Sequence, residues 1–377
     1  MATDTISVME KDKIFMSRAI SLARKGLYGA HPNPMVGAVL VKGGRITGEG
    51  WHKEFGGPHA EVNAIRSAAG SAKGSALYVT LEPCSTTGRT GPCTGAIIAA
   101  GVRKVVIGAP DPNPVNAGKA APILRAAGIE VEKSVLSREA AALNPAFNKF
   151  MRTGLPFVTL KAAQSLDGKT AGFKGRSRWI SSPASRKEGH RLRAEADAVL
   201  AGINTVLADD PLLNVRGLGI KRQPAVVILD SALRIPRNAR VLDNEKVIIA
   251  ATRKAPRRRI RALRLSSNIT VLILPPGKNG GVDLRALLGE LGRLGIAHLL
   301  VEGGGRVAGS FILQGLFDRL MFFCAPLIIG GSGAGSSAVW RDAELPGGAL
   351  GMGLRFKEIR RLGPDILVEA EPCSRGS

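Results

Sequence analysis

With 377 residues, 45% of them hydrophobic, the chain is too long for one average domain and apolar enough to build real cores. Glycine is plentiful at 47 residues and aromatics are scarce at 4%, which suits a turn-rich α/β protein better than an all-β sandwich. The net charge of +23 raises a nucleic-acid partner but equally fits phosphorylated metabolites and dinucleotides, and the lack of aromatic residues interleaved to stack bases makes nucleic acid the less favoured.

Residues 12–26 carry apolar side chains at helical spacing (Ile14, Phe15, Ala19, Ile20, Leu22, Ala23) and end at Gly26, a C-cap. The rigid run His31-Pro32-Asn33-Pro34 follows. Residues 36–41 and 45–52 flank Gly43-Gly44, a hairpin signal. Helices are predicted over 60–69, 93–100, 120–127 and 137–151, and strands over 76–81, 102–108 and 129–133. This order predicts a mixed sheet with helices on its faces. Arg152-Thr153-Gly154 reads as a turn, so a zinc-site domain is placed at 1–152 and a second α/β domain at 153–377. Strands there are expected over 156–161, 198–201, 225–229, 246–250, 269–274, 298–301, 319–325 and 366–370, with a helix over 307–313 and a loose tail. No apolar run is long enough to span a bilayer, and residues 1–13 lack the apolar core of a signal peptide, so a cytoplasmic protein with no membrane partner is expected. Four cysteines are too few for a disulfide framework here; Cys324 reads as a buried strand residue and Cys373 as part of the tail.

The chemistry concentrates in Pro58-His59-Ala60-Glu61, Pro83-Cys84 and Pro92-Cys93. One imidazole and two thiolates suit zinc and leave a fourth tetrahedral position for water. Glu61, two residues past His59, is placed to handle that water's proton. His59 and Cys93 each open a helix, so two helix N-termini converge on the metal and favour thiolate. A structural zinc site would want a fourth ligand, for which His52 is the local candidate. The layout is that of a zinc-dependent nucleobase deaminase, in which water replaces a ring amino group and ammonia leaves. Eight residues separate Cys84 from Cys93, wider than the usual two.

That wide loop, with His31-Pro32-Asn33-Pro34-Met35-Val36-Gly37, Gly48-Glu49-Gly50-Trp51-His52, Thr80-Leu81-Glu82-Pro83-Cys84-Ser85 and Asp111-Pro112-Asn113-Pro114, resembles the bifunctional riboflavin-biosynthesis deaminase/reductases. The likeness continues through Leu160-Lys161-Ala162-Ala163-Gln164-Ser165-Leu166-Asp167-Gly168-Lys169, the block from Gly202 to Arg216, and Val301-Glu302-Gly303-Gly304-Gly305-Arg306. It implies a cytidine-deaminase-like three-layer domain followed by a domain similar to dihydrofolate reductase in fold. It implies a phosphoribosylamino-pyrimidine substrate, deaminated with Zn²⁺ and then reduced by NADPH at the opened ribose. Asn33, His52, Arg89, Asp111 and Asn113 would line the deaminase pocket, although Asp111 and Asn113 also read as Asx-turn formers. The resemblance puts NADPH against Ala163, Trp179, Thr205, Asp209, Ser231, Gly304, Gly305, Arg306 and Ser310. It puts the reductase substrate against Ser177, Arg193, Leu213, Arg216 and Glu302. The Gly run ahead of a helix suits a pyrophosphate, and the two arginines suit a phosphate. Thr86 departs from the family, which commonly has His there. A homo-oligomer is compatible with this scheme. The competing class is a tRNA or nucleobase deaminase with an RNA-binding C-terminal module.

Overall fold

The computed structural model describes residues 8–87, 91–171, 180–330, 337–338 and 351–373. The chain forms two compact units, Met1–Thr153 and Gly154–Ser377.

In the first unit, α1 (Val8–Ala23) leads into β1 (Gly37–Lys42) and β2 (Arg45–Trp51). Gly43 and Gly44 turn this hairpin at φ of 56° and 76°, which glycine alone adopts without strain. Next come α2 (Ala60–Ser67), β3 (Ala76–Leu81), α3 (Cys93–Ala99), β4 (Lys104–Ala109), α4 (Ala120–Ala126), β5 (Glu130–Lys133), α5 (Ser137–Ala141) and α6 (Pro145–Thr153). The sheet order is β2-β1-β3-β4-β5. β1 is antiparallel to both neighbours, and β3, β4 and β5 are mutually parallel. Alternation along β1 sends Ala38 and Leu40 into a core with Ala64, Ile97 and Leu124 of α2, α3 and α4. Val39 and Val41 enter the opposite core, with Met16 and Ala19 of α1 and Ala140 of α5. Helices therefore cover both faces of the sheet, giving three layers.

Three boundaries differ from the sequence pattern. The first helix begins at Val8. The helix expected over 137–151 is two helices, because Pro145 has no N–H to donate and disfavours a helical residue before it. Arg152 and Thr153 are helical, and the chain turns at Gly154 with φ of 68°. The break at Pro145 leaves Asn144 free to work: its Oδ1 accepts from Met35 N at 2.7 Å and its Nδ2 donates to Met35 O at 2.9 Å. That pair of bonds ties the loop of Asn33 to the far end of the unit.

The second unit runs β6 (Phe157–Ser165), β7 (Lys169–Ala171), α7 (Pro183–Glu195), β8 (Ala198–Gly202), α8 (Ile203–Asp209), β9 (Ala225–Leu229), β10 (Val247–Ala251), α9 (Arg257–Arg264), β11 (Ile269–Ile273), α10 (Leu284–Arg293), β12 (His298–Val301), α11 (Gly305–Leu313), β13 (Arg319–Ala325), β14 (Ser337–Ala338), β15 (Leu354–Leu362) and β16 (Asp365–Pro372). Its nine-stranded sheet has the order β11-β10-β9-β8-β12-β6-β13-β16-β15. All strands from β11 to β13 are parallel, and β16 and β15 add antiparallel at one edge. The inner strands are buried on both faces, which is why Val226-Val227-Ile228 and Val247-Ile248-Ile249 read as unbroken apolar runs. β7 and β14 pair in a separate two-stranded sheet that the sequence pattern did not predict. Among the described residues no helix is long and apolar enough to cross a membrane. All four cysteines are free; Cys324 is half-buried in β13 and Cys373 is exposed.

α2 lies unusually close to β2. A Cβ on Gly50 would meet Ala60 O and Ala64 N at 2.3 Å, and one on Gly48 would meet Ala64 O at 2.4 Å. Both obstacles are backbone atoms that no rotamer change can move. Gly50→Ala is therefore expected to destabilise the protein by about 1–3 kcal/mol or more, read as a fall in the denaturation midpoint. An unchanged midpoint would show that helix and strand separate without cost.

Candidate active sites

In the first unit, the N-termini of α2 and α3 point at a common spot. His59 is the N-cap of α2, and Cys93 is the first residue of α3. The β3 strand ends just before Glu82-Pro83-Cys84. His59 Nδ1 lies 3.2 Å from Cys93 Sγ and 3.6 Å from Cys84 Sγ. All three donor atoms fall within 4.8 Å of one another. A tetrahedral zinc about 2.3 Å from sulfur and about 2.0–2.1 Å from nitrogen holds its donors roughly 3.5–3.8 Å apart, so the donor set fits that ion. The Cys93 thiol, then His59, pulls the Cys84 sulfur well below the usual thiol range, against burial. The Cys84 sulfur and burial push the Cys93 thiol up. The Cys84 sulfur also raises His59 above the usual imidazole range, so a metal taking these donors displaces protons.

Glu61 is buried, and burial pushes its carboxyl above the usual range, against its own backbone N–H and His59. His52 is not a fourth metal ligand. Its Nδ1 faces Pro58 O at 3.2 Å and its Nε2 faces Asn33 Nδ2 at 3.0 Å. Nδ1 therefore carries the proton and Nε2 accepts from the amide. Burial keeps the ring neutral by pushing its pKa down. Among the described residues the metal donors are His59, Cys84 and Cys93 alone.

Asp111 and Asn113 form the turns their sequence suggested. Asp111 Oδ1 accepts from Asn113 N at 2.9 Å, and Asn113 Oδ1 accepts from Val115 N at 3.1 Å. The sequence reading assigned no role to two residues that organise this loop. Buried Glu82 accepts from Gly118 N at 3.0 Å, Ala120 N at 3.2 Å and Asp111 N at 3.4 Å. Asn116 Oδ1 accepts from Thr86 Oγ1 at 3.0 Å and Ser85 N at 3.4 Å. Thr86 thus joins the Cys84 loop to the Asp111 loop. Arg89 lies outside the described residues.

In the second unit the sites lie at the carboxyl ends of the parallel strands, where open α/β sheets bind ligands. Register sets Val301 beside Leu160, so the next residues, Glu302 and Lys161, are neighbours. Arg193 donates from Nε to Glu302 Oε1 at 2.6 Å, from Nη2 to Glu302 Oε2 at 2.9 Å, and from Nη1 to Asn214 O at 3.0 Å. Three of its five N–H donors are thus engaged within the protein. Burial would raise Glu302, but Arg193 overrides it and holds the carboxyl at about 2. Lys161 Nζ is 4.0 Å from Glu302 Oε2 and 5.5 Å from the centre of the Phe323 ring. Burial pushes its ammonium down, opposed by Glu302. Arg216 donates to Asn214 Oδ1 at 2.8 Å, and its backbone N–H to His190 Nδ1 at 3.3 Å. Burial and the two arginines, Arg193 and Arg216, lower His190, so the imidazole is neutral. Leu213 is buried at φ of 56°, a left-handed conformation costing about 1–3 kcal/mol in a non-glycine residue.

Beside this cluster is a cavity of 850 Å³ lined by Thr205, Ser231, Gly304, Gly305, Arg306 and Ser310, six of the residues the resemblance assigns to NADPH. The cradle depends on glycine. A Cβ on Gly303 would lie 2.5 Å from Val307 Cβ, and one on Gly202 2.8 Å from Val307 Cγ2. α8 and α11 thereby open at the cavity with their N-termini, as a pyrophosphate requires. Ala163 and Asp209 are not in the cavity lining: Ala163 is on β6 beyond β12, and Asp209 ends α8. Ser177 and Trp179 lie outside the described residues.

Since Glu302 titrates lower folded than unfolded, its pairing stabilises the protein above the unfolded carboxylate range and is lost as pH falls through about 2. Glu302→Gln, which leaves Arg193 without its charge partner, is expected to cost about 3–5 kcal/mol near neutrality. Denaturant titrations from pH 7 downward should show the gap to wild type steady above about pH 4.5 and narrowing toward about 2. A gap that widens in acid would contradict the pairing.

Residues 9–109 match the family model of the cytidine and deoxycytidylate deaminase zinc-binding region, and residues 156–368 match the RibD C-terminal domain. The chain is 44% identical to the riboflavin biosynthesis protein RibD of Aquifex aeolicus, covering 96% of this chain and 98% of that one. It is 41% identical to the Escherichia coli protein of the same name, over 95% and 98%. Acinetobacter baumannii RibD superposes with a TM-score of 0.86 at 39% identity, over 97% of this chain and 100% of that one. A Thermotoga maritima diaminohydroxyphosphoribosylaminopyrimidine deaminase/5-amino-6-(5-phosphoribosylamino)uracil reductase does so at 0.84 and 36%, over 97% and 100%.

Proposed function

This chain belongs to the RibD family, the bifunctional deaminase/reductases of riboflavin biosynthesis, and from that premise we propose how its residues divide the two reactions. The first unit is the hydrolase and the second the oxidoreductase. An RNA-binding C-terminal module is not favoured, because residues 156–368 match the RibD C-terminal domain. The substrate is a phosphoribosylamino-pyrimidine, the compound class in the Thermotoga maritima enzyme's name. Deamination comes first and reduction of the ribosyl chain second.

The observation that carries the deaminase assignment is the convergence of His59, Cys84 and Cys93 within 4.8 Å, with Glu61 buried two residues beyond His59. These three residues would hold a zinc ion, which would supply a water acidified to a pKa of about 7. Glu61 takes the proton of the attacking water and returns it to the ring nitrogen and the departing amine. Burial pushes its carboxyl above the usual range, which makes its carboxylate a stronger base toward that water. Asn33 and His52, already bonded to each other, present a fixed polar edge to the pyrimidine. Asp111 and Asn113 keep their family assignment to the same pocket.

In the reductase, NADPH supplies the hydride when bound. The N–H groups opening α11 would hold its pyrophosphate, with Thr205, Ser231 and Ser310 along the cavity. Glu302 and Arg193 form a prefixed pair beside the ribosyl carbon. Arg216, whose side chain is engaged by Asn214 alone among the described residues, is the better phosphate ligand of the two arginines.

Glu61→Gln is expected to retain zinc by metal analysis and to retain NADPH-dependent reduction, while deamination falls by about 10²–10⁴-fold. Retained ammonia release would remove Glu61 from its role. Arg216→Ala is expected to spare deamination and raise the reductase KM about 10- to 100-fold, the worth of one charge-assisted phosphate contact. Steady-state kinetics on the deaminated substrate reads this, and an unchanged KM would place the phosphate elsewhere.

A further inference from the structure

We propose that Lys278 and Arg285 form the subsite for the adenosine 2′-phosphate of the dinucleotide, and so make this reductase select NADPH over NADH. The inference rests on the assignment of the dinucleotide to the 850 Å³ cavity.

The cavity has two distinct ends. Its inner end is lined by Gly304, Gly305 and Thr205, after β12 and β8. Its outer end is the segment from Gly277 to Arg285, which follows β11 at the sheet edge. The strand order places β12 and β11 four spacings apart, on the order of 19 Å, room for an extended dinucleotide. Glu302 immediately precedes the Gly303-Gly304 run and pairs with Arg193. The hydride must be delivered beside Glu302, so the nicotinamide takes the inner end. The N-terminus of α11 would then hold the pyrophosphate, and the adenosine would run outward past β9 to the β11 loop.

The outer end is cationic by construction. Lys278 stands on the loop and Arg285 is the second residue of α10, so the two charges come from different elements. Neither is paired with a carboxylate among the described residues; Arg285 donates from Nη2 to Gln314 O at 3.2 Å. Asp283 is the single carboxylate lining the cavity, and it is committed to capping α10, accepting from Arg285 N at 2.8 Å and Ala286 N at 3.0 Å. Lys254 stands behind the loop, its Nζ 3.4 Å from where a Gly280 Cβ would lie, and adds a third positive charge. The loop closes on itself through Gly277 N to Gly281 O at 2.8 Å, Gly280 N to Gly277 O at 2.9 Å and Asp283 N to Pro275 O at 3.0 Å, which fixes where Lys278 starts. A phosphate monoester carries about −1.5 to −2 charge at neutral pH. NADH differs from NADPH only by lacking it, so cations at this end act on one cofactor and not on the other.

The test is binding rather than turnover. Calorimetry with adenosine 2′,5′-bisphosphate and with adenosine 5′-monophosphate should show wild type preferring the bisphosphate by about 100-fold. The double variant Lys278→Ala/Arg285→Ala should lose about 100-fold in affinity for the bisphosphate, two charge-assisted contacts' worth, with the monophosphate unchanged. NADPH and NADH affinities, read by fluorescence, should converge in the same variant. Both side chains are exposed, so an unaltered melting temperature is expected. Equal losses for both ligands, or no loss, overturn the 2′-phosphate assignment. Gly304→Val, which plugs the inner end, separates that failure from failure of the cavity assignment: it should abolish binding of NADPH and NADH alike, and unimpaired binding of both would show that the dinucleotide lies elsewhere.

Discussion

Both sites depend on helix N-termini lying closer to neighbouring backbone than a side chain would permit. In the first unit Gly48 and Gly50 let α2 settle on β2, and the His59 ring lies 5.1 Å from that of His52. In the second, Gly202 and Gly303 let Val307 press between two strand ends, so that α8 and α11 open at one cavity. An N-terminus carries unpaired N–H groups and a partial positive charge. Pointed at thiolates, it favours their charged form; pointed at a pyrophosphate, it supplies donors. Under the proposed assignments the same local device serves a metal site and a nucleotide site, and what separates them is which side chains stand at the mouth.

Much of this was legible in the sequence where the signal is local. The candidate metal donors sit in short motifs, two of which place His59 and Cys93 at helix starts, and the Gly run after residue 301 announces another helix start. The hairpin at Gly43-Gly44 and the buried Val/Ile strands followed from composition and periodicity. The α5–α6 break was also written locally, in Pro145, but fifteen residues of helical periodicity outweighed one proline.

What was not legible depends on partners distant in sequence. Asn144 acts on Met35, 109 positions away, and nothing near either residue announces the pair. Arg193 looked like a phosphate ligand because it is an arginine in a family block, yet its fork is turned inward onto Glu302, also 109 positions away. Asp111 and Asn113 show the reverse: their turn-forming role was readable from the Asx-Pro pattern, and the turn uses one oxygen of each. Glu82 and Lys161 stood inside quoted motifs without a role, since a motif gives a residue's neighbours in sequence and not the three N–H groups or the carboxylate it will meet.

Charge balance in the reductase cluster links these points to substrate choice. Lys161, Arg193 and Arg216 bring three cations to the region of Glu302, and His190 between them is held neutral. Arg216 is itself pushed below its usual range by burial and by Arg193 and Arg240, so the cluster is short of negative charge. Glu302 offsets one positive charge. Under the proposed assignment a phosphate monoester, at about −1.5 to −2, offsets most of the remaining two. A substrate lacking the phosphate would leave the cations repelling one another in a half-buried site, where such repulsion is poorly screened. Selection for a phosphorylated ribosyl chain then follows from relief of that repulsion as much as from new hydrogen bonds, and Glu302 sets its strength by fixing how much positive charge the protein leaves for its ligand.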